Sequence, residues 1–143
     1  MVTATPILPQ VIDCVITNFT SADTTVAKAI FTPGANGSVI NSIIAYTNDT
    51  VTVNLQLGIY NGSTNYLITT VNLPIGAGNT NSVPNVDLLR SSQFGGHLYL
   101  GLYYDANGNK VLFLPSVYKL YANCLATMST SKNTNIFVQG GDY

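Results

Sequence analysis

Apolar and polar residues alternate along several stretches of the chain, and the alternation is clearest over residues 51–60. The apolar positions of this stretch are Val51, Val53, Leu55, Leu57 and Ile59. A period of two residues is typical of a β-strand that buries one face and exposes the other. We therefore expect the last four of these side chains to point into the core of the protein.

The same reasoning predicts further strands, each bounded by Gly, Pro, Asn or Asp. They cover residues 24–32, 38–47, 67–73, 98–104, 111–114, 117–128 and 135–139. The alternating positions are Leu67, Thr69, Val71 and Leu73 in one of them, and Leu120, Ala122, Cys124, Ala126 and Met128 in another. Residues 84–90 are expected to form one or two helical turns with Leu88 and Leu89 facing inward. No long helix is predicted.

A rigid corner joins two of the predicted strands in the sequence FTPGANGSVI, residues 31–40. Pro33 ends the first strand, and Gly34 and Gly37 supply backbone conformations that other residues rarely adopt. About eight strands separated by such turns predict an all-β fold, an antiparallel β-sandwich with jelly-roll or Greek-key connections. We expect this sandwich to be one domain that covers residues 13–143.

Residues 1–12 are predicted to form an extended N-terminal arm. Pro6 and Pro9 flank Ile7 and Leu8, and prolines at this spacing block both a helix and a central strand. Such an arm can lay its apolar side chains on another subunit or on a partner. It can equally be an edge segment that folds back on its own domain.

The composition excludes several classes of partner. Charged residues make up 8% of the 143 residues, and the formal net charge is −1. The five basic residues are scattered, which argues against binding to nucleic acid. No apolar run is long enough to span a membrane, and the first ten residues lack the features of a secretion signal. Weak charge repulsion between copies favours assembly.

No constellation of residues points to catalysis, a cofactor or a metal ion. His97 is the only histidine, and no acid lies close to it in sequence. Residues 105–109 begin like a calcium loop but lack the later Gly and Glu, so we interpret them as a hairpin turn. Cys14 and Cys124 are expected to be buried free thiols, with a disulfide between them as the alternative.

The nine tyrosines are the remaining candidate for a binding surface. Tyr60 and Tyr66 flank one predicted loop. The C-terminal half contains a further group, Tyr99, Tyr103, Tyr104, Tyr118 and Tyr121. Tyrosines at the rim of a β-sandwich can stack on sugars or anchor a protein interface. The simpler interpretation is that tyrosine is common in strands.

Several segments together resemble a small β-rich structural protein of tailed bacteriophages. They are FTSADTTVAKAIFTPGANGSVINSI, NDTVTVNLQL, VNLPIGAGNT, DANGNKVLFLP and the terminal FVQGGDY. The resemblance runs from about residue 19 to the end of the chain. The protein is similar to capsid decoration (cement) proteins, which are β-rich and sit as oligomers on the assembled phage head.

The resemblance implies a structural component of the virion without catalytic activity or cofactor. Its expected partner is the major capsid protein, and its expected site of synthesis is the bacterial host cytoplasm. An icosahedral shell offers three-fold positions, so a homotrimer is the simplest matching oligomer. Pro6, Ile7, Leu8 and Pro9 are the residues expected to contact the capsid or a neighbouring subunit. The alternative is a carbohydrate- or receptor-binding module of a head fibre or tail.

Overall fold

The structure is a computed structural model, and it describes residues 11–92, 94 and 102–143. These residues form ten β-strands and one 3-10 turn at Ser21–Asp23, and they contain no α-helix. The first five strands are β1 Val11–Thr20, β2 Lys28–Phe31, β3 Ser38–Thr47, β4 Val53–Tyr60 and β5 Asn65–Leu73. The others are β6 Val86–Asp87, β7 Leu102–Tyr104, β8 Lys110–Leu114, β9 Lys119–Cys124 and β10 Asn133–Asp142.

The strands form two antiparallel sheets that pack face to face as a β-sandwich. The larger sheet has the order β1-β10-β3-β8-β7, with the short β6 also paired to β3. The smaller sheet has the order β2-β9-β4-β5. Strands β1 to β4 therefore pair in turn with β10, β9, β8 and β5, as in a double-stranded ribbon folded over on itself. This is the jelly-roll arrangement that the sequence predicted.

The core lies between the two sheets, because every long strand turns alternate residues inward. Its largest fully buried side chains are Phe19, Phe31, Phe94, Ile30, Ile40, Ile43, Leu55, Leu57, Leu73, Leu88, Leu89 and Leu112. The strand predicted at residues 38–47 has these bounds in the structure. In β4, Val53, Leu55 and Leu57 are buried and Ile59 packs against the core, so the predicted inward face is confirmed.

The strand β5 contains a bulge that the sequence did not reveal. Leu57 pairs with Thr69 and Gly58 pairs with Leu67, so one residue, Ile68, is inserted between them. The inserted residue packs against the core, whereas Leu67 turns outward and is 61% exposed. A Cβ atom on Gly58 would lie 2.7 Å from the backbone oxygen of Tyr66. The close approach of the two strands at the bulge therefore requires glycine at this position.

The structure has ten strands where about eight were predicted, and the longest addition is β1. Its sequence has apolar residues on both faces, so it lacks the alternation that identifies a half-buried strand. Phe19 points into the core, whereas Ile12 and Ile16 are exposed. Val11 and Ile12, predicted as the end of the arm, pair with Asp142 and Gly141 of β10. Residues 1–10 lie outside the described part of the chain.

The prediction of helical turns at residues 84–90 was wrong. Val86 and Asp87 form β6 instead, and the backbone nitrogen of Leu88 donates a hydrogen bond to the carbonyl of Ile43 in β3 at 2.7 Å. Pairing with a distant strand thus overrides the local preference. Leu88 and Leu89 are fully buried, as expected.

Two further predicted strands are shorter in the structure. The strand expected at residues 24–32 is only Lys28–Phe31, because Thr24 has φ 53° and lies in a turn. The strand expected at residues 117–128 ends at Cys124, so Ala126 is exposed although Met128 is buried. Of the strand expected at 98–104 the structure describes Leu102–Tyr104, and residues 98–101 lie outside the described part.

The corner between β2 and β3 is tied to the C-terminal strand. The nitrogen of Gly37 donates to the carbonyl of Gly34 at 3.0 Å, and Gly37 has φ 88°, in the region that favours glycine. The carboxylate of Asp142 accepts hydrogen bonds from the Gly34 nitrogen at 3.3 Å and from the Ser38 hydroxyl at 2.5 Å. The corner is therefore held by long-range contacts as well as by its own residues.

A buried carboxylate, Asp49, joins two turns at one end of the sandwich. It is 1% exposed, and it accepts hydrogen bonds from the Ser129 nitrogen at 3.0 Å and the Ser129 hydroxyl at 2.6 Å. The Val51 nitrogen donates to it at 3.2 Å. Burial raises the pKa of Asp49, but the hydrogen bonds from Ser129 and the backbone lower it by more. The net pKa is below the ordinary value of 3.8.

We expect Asp49→Asn to lower the free energy of unfolding by about 1.5–3 kcal/mol at neutral pH, because hydrogen bonds to a buried charge are lost. The pKa of Asp49 is lower in the folded protein than in the unfolded chain. Its stabilisation is therefore complete above about pH 5, well above the unfolded-state pKa, and is lost as the pH falls through the folded-state pKa. Urea titrations should show the gap between wild type and variant narrowing below about pH 5.

Asp13→Asn on the edge strand β1 is the matched control for the Asp49 variant. We expect it to change stability by less than about 0.5 kcal/mol, as is usual for a substitution away from buried networks. Equal stabilities of wild type and Asp49→Asn at neutral pH would contradict the role assigned to this carboxylate.

Candidate functional site

An open groove of about 490 Å³ lies on the outer face of the smaller sheet. In β9, Tyr121 and Asn123 alternate with buried residues and so point outward into the groove. Gln56 and Gly58 hold outward positions of β4, and Asn65 and Leu67 of β5, which pair with outward positions of β4, also line the groove. We call this the sheet groove. Because Gly58 carries no side chain, the surface is concave between the neighbouring strands.

Hydrogen bonds and ring contacts hold several side chains in or beside the sheet groove. The Nδ2 of Asn123 donates to the Oε1 of Gln56 at 3.3 Å. The rings of Tyr60 and Tyr121 are 5.2 Å apart between centroids, and the Tyr60 hydroxyl donates to the carbonyl of Gly62 at 2.7 Å. The Tyr66 hydroxyl accepts a hydrogen bond from Asn61 Nδ2 at 3.4 Å. These contacts favour a groove that is formed before any ligand arrives.

The outer face of the larger sheet carries a different surface, an apolar stripe across three strands. Ile16 of β1 pairs with Phe137 of β10, which in turn pairs with Ile44 of β3. The Phe137 ring meets Tyr46 edge-on, with centroids 5.2 Å apart. Ile12, on the same face of β1, is 80% exposed. We call these five residues the apolar stripe.

The structure divides the predicted tyrosine cluster between different parts of the sandwich. Tyr60 and Tyr121 lie together on the outer face of the smaller sheet, although they are far apart in sequence. Tyr66 does not join them, because it pairs with Ile59, which packs against the core. Tyr103 and Tyr104 belong to the larger sheet. Tyr118 packs against the core, and Tyr99 lies outside the described residues. The signal in the sequence was the alternation in β9, which places Tyr121 and Asn123 on the face opposite to its apolar residues.

The residues predicted for capsid or subunit contact cannot be placed. Pro6, Ile7, Leu8 and Pro9 lie outside the described residues, and so does His97. The apolar stripe, which sequence reasoning missed, begins on the strand that directly follows Pro6–Pro9 in the chain. Its signal was the presence of apolar residues on both faces of residues 11–20.

The loop that resembles a calcium site is a hairpin turn, as predicted. The carboxylate of Asp105 accepts hydrogen bonds from the backbone nitrogens of Asn107 at 2.9 Å and Asn109 at 2.8 Å. The Asn109 backbone bond is the main cause of the lowered pKa of Asp105. Within residues 11–92, 94 and 102–143, no three Cys, His or Asp side chains lie close enough together to hold a metal ion.

The two cysteines differ in environment and are not bonded to each other. Cys124 is buried as predicted, and burial raises the pKa of its thiol to about 11. Cys14 is exposed, so the prediction that it is buried was wrong. The reason is its position in β1, where it shares the outward-facing register of Ile12 and Ile16.

Two comparisons with known proteins found no match. The chain matches no protein-family model, and the search of curated proteins returned no significant match. In the part of the chain that the structure describes, no helix has the length and hydropathy needed to cross a membrane.

The difference between the thiols predicts selective labelling. Ellman's reagent should react with one thiol of the native protein, Cys14, while Cys124 should react only after unfolding, because it is buried and protonated. The Cys14→Ser variant should then show no fast-reacting thiol and serves as the control. Two fast-reacting thiols in native wild-type protein would contradict the burial of Cys124.

Proposed function

We propose that the protein is a capsid decoration protein, a non-enzymatic component of a phage virion that binds the assembled head and stabilises it. The observation that carries this proposal is the apolar stripe. Ile12 and Ile16 are 80% and 61% exposed on one face of an edge strand, next to Phe137. A contiguous apolar surface of this kind marks an interaction site in a folded domain.

The chemistry of the apolar stripe suits a permanent protein interface. It contains no charged side chain, and the centre of stable interfaces is depleted in charge and enriched in aromatic residues. The apolar residues Ile7 and Leu8 precede Ile12 of the stripe by only a few positions in the sequence. The resemblance of the sequence to capsid decoration proteins supports the same partner, the major capsid protein.

The proposed mechanism is stabilisation by mass action. A protein that binds the assembled lattice and not the free capsid subunits shifts the equilibrium towards the intact shell. A homotrimer placed on three-fold positions would present three copies of the apolar stripe, so that each contact strengthens the others.

We expect Ile16→Asp to weaken binding to heads assembled without the protein at least about tenfold. The variant removes about 1.5–3 kcal/mol of apolar burial and places a charge in the interface. Binding can be measured by co-sedimentation of purified protein with the heads.

The control is Leu67→Asp, because Leu67 is equally exposed, at 61%, but lies on the opposite sheet. We expect it to bind heads like the wild type. If Ile16→Asp remains folded by circular dichroism and binds heads as tightly as Leu67→Asp, the apolar stripe is not the capsid-binding surface.

We also expect deletion of residues 1–10 to leave the sandwich folded, because β1 and its pairing with β10 begin at Val11. The truncated protein should bind heads more weakly or lose its oligomeric state, since the apolar residues Ile7 and Leu8 are removed. Light scattering coupled to size exclusion gives the oligomeric state. An unchanged trimer with unchanged binding would rule out this role for Pro6–Pro9.

A further inference from the structure

We propose that the sheet groove is a binding site for a neutral saccharide. The groove has about 490 Å³ of space, within the range of about 300–1,000 Å³ that is usual for small-ligand sites. It lies on the smaller sheet, on the side of the sandwich opposite the apolar stripe. The proposal therefore does not rest on the proposed decoration function.

The lining of the sheet groove combines aromatic rings with side-chain amides. Tyr121 supplies a ring, with the Tyr60 ring beside it at 5.2 Å, and Gln56, Asn65 and Asn123 supply the amides. A saccharide has the matching chemistry, because its C–H faces stack on the electron-rich face of a ring and its hydroxyls both donate and accept hydrogen bonds. Amides also donate and accept, so they suit hydroxyl groups better than a carboxylate or an ammonium would.

The absence of charge in the lining narrows the class of ligand. No Asp, Lys, Arg or His is among the described residues that line the groove. A phosphate, carboxylate or amine would lose hydration on entering without gaining an opposite charge. The geometry therefore favours neutral sugars over anionic ones.

The side-chain amides of Asn123 and Gln56 each keep one hydrogen-bonding atom for a ligand. The Nδ2 of Asn123 donates a hydrogen bond to the Oε1 of Gln56. Among the described residues, neither the Oδ1 of Asn123 nor the Nε2 of Gln56 has a hydrogen-bond partner. One acceptor and one donor thus lie side by side in the groove.

The test is an array of immobilised oligosaccharides, neutral and anionic, probed with the labelled full-length protein. We expect binding to neutral glycans. Tyr121→Ala and Asn123→Ala should each reduce it about tenfold, which is the effect of losing one stacking contact or one hydrogen-bonding group. Tyr121 points outward from β9, so its truncation should leave the protein folded.

Tyr104→Ala is the matched control, because Tyr104 is exposed, at 61%, but belongs to β7 of the larger sheet. It should bind glycans like the wild type. Three results would overturn the proposal: no neutral glycan bound, binding confined to anionic glycans, or binding unchanged in both groove variants. Ile16→Asp should retain glycan binding, which separates this site from the capsid-binding surface.

Discussion

The packing of the two sheets against each other is the interaction on which the rest of the structure depends. Because charged residues make up only 8% of the chain, ion pairs can contribute little to its stability. The two ion pairs found among the described residues, Lys28 with Asp23 and Arg90 with Asp87, lie at the surface, where such pairs contribute little. The inner faces of the sheets instead bury large apolar side chains from nearly every strand. Stability therefore comes from apolar burial, and the ends of the sandwich are joined by polar hydrogen bonds such as those of Asp49.

The outer faces are under a different constraint, since they need not pack against anything for the domain to fold. Asn and Thr occupy many of the outward positions, for example Asn54 and Asn72, which hydrogen-bond to each other at 2.8 Å. The apolar stripe and the sheet groove depart from this pattern. Ile16 would be a poor choice for a strand that faces only water. Gly58 is required by the close approach of β5 at the bulge, and as a consequence no side chain fills the groove at this position.

The sequence predicted those parts of the fold in which one strand face is apolar and the other polar. Strand β4 is such a case, and its inward residues Val53, Leu55 and Leu57 are buried. Strand β1 is not, because Val15 and Ile16 are neighbours on opposite faces and both are apolar. Residues 84–90 and the bulge at Ile68 are decided by contacts with distant strands, which no local pattern contains.

The candidate site was predictable only in part, for the same reason. Tyr60 and Tyr66 flank one loop in the sequence, but it is Tyr121 that lies beside Tyr60, and only through the pairing of β4 with β9. Val11 and Ile12 are apolar in the sequence, but their exposure depends on the pairing of β1 with β10, which decides the face of the sheet on which each side chain lies. Composition could show that the surface is nearly uncharged. It could not show where the apolar and aromatic exceptions come together.

The sandwich architecture explains how one small domain can carry two unrelated surfaces. Two packed sheets hold their outer faces on opposite sides of a core about 10 Å thick, so a ligand on one face does not compete for space with a partner on the other. The two surfaces differ in how readily they would cause free copies of the protein to associate. The sheet groove is polar enough to remain in water, whereas β1 presents Ile12 and Ile16 beside an edge that pairs with no further strand in the described chain. Exposed apolar edges promote association between copies. A chain that keeps such an edge is suited to an assembly in which that edge is covered, and the proposed place on a capsid would provide this condition.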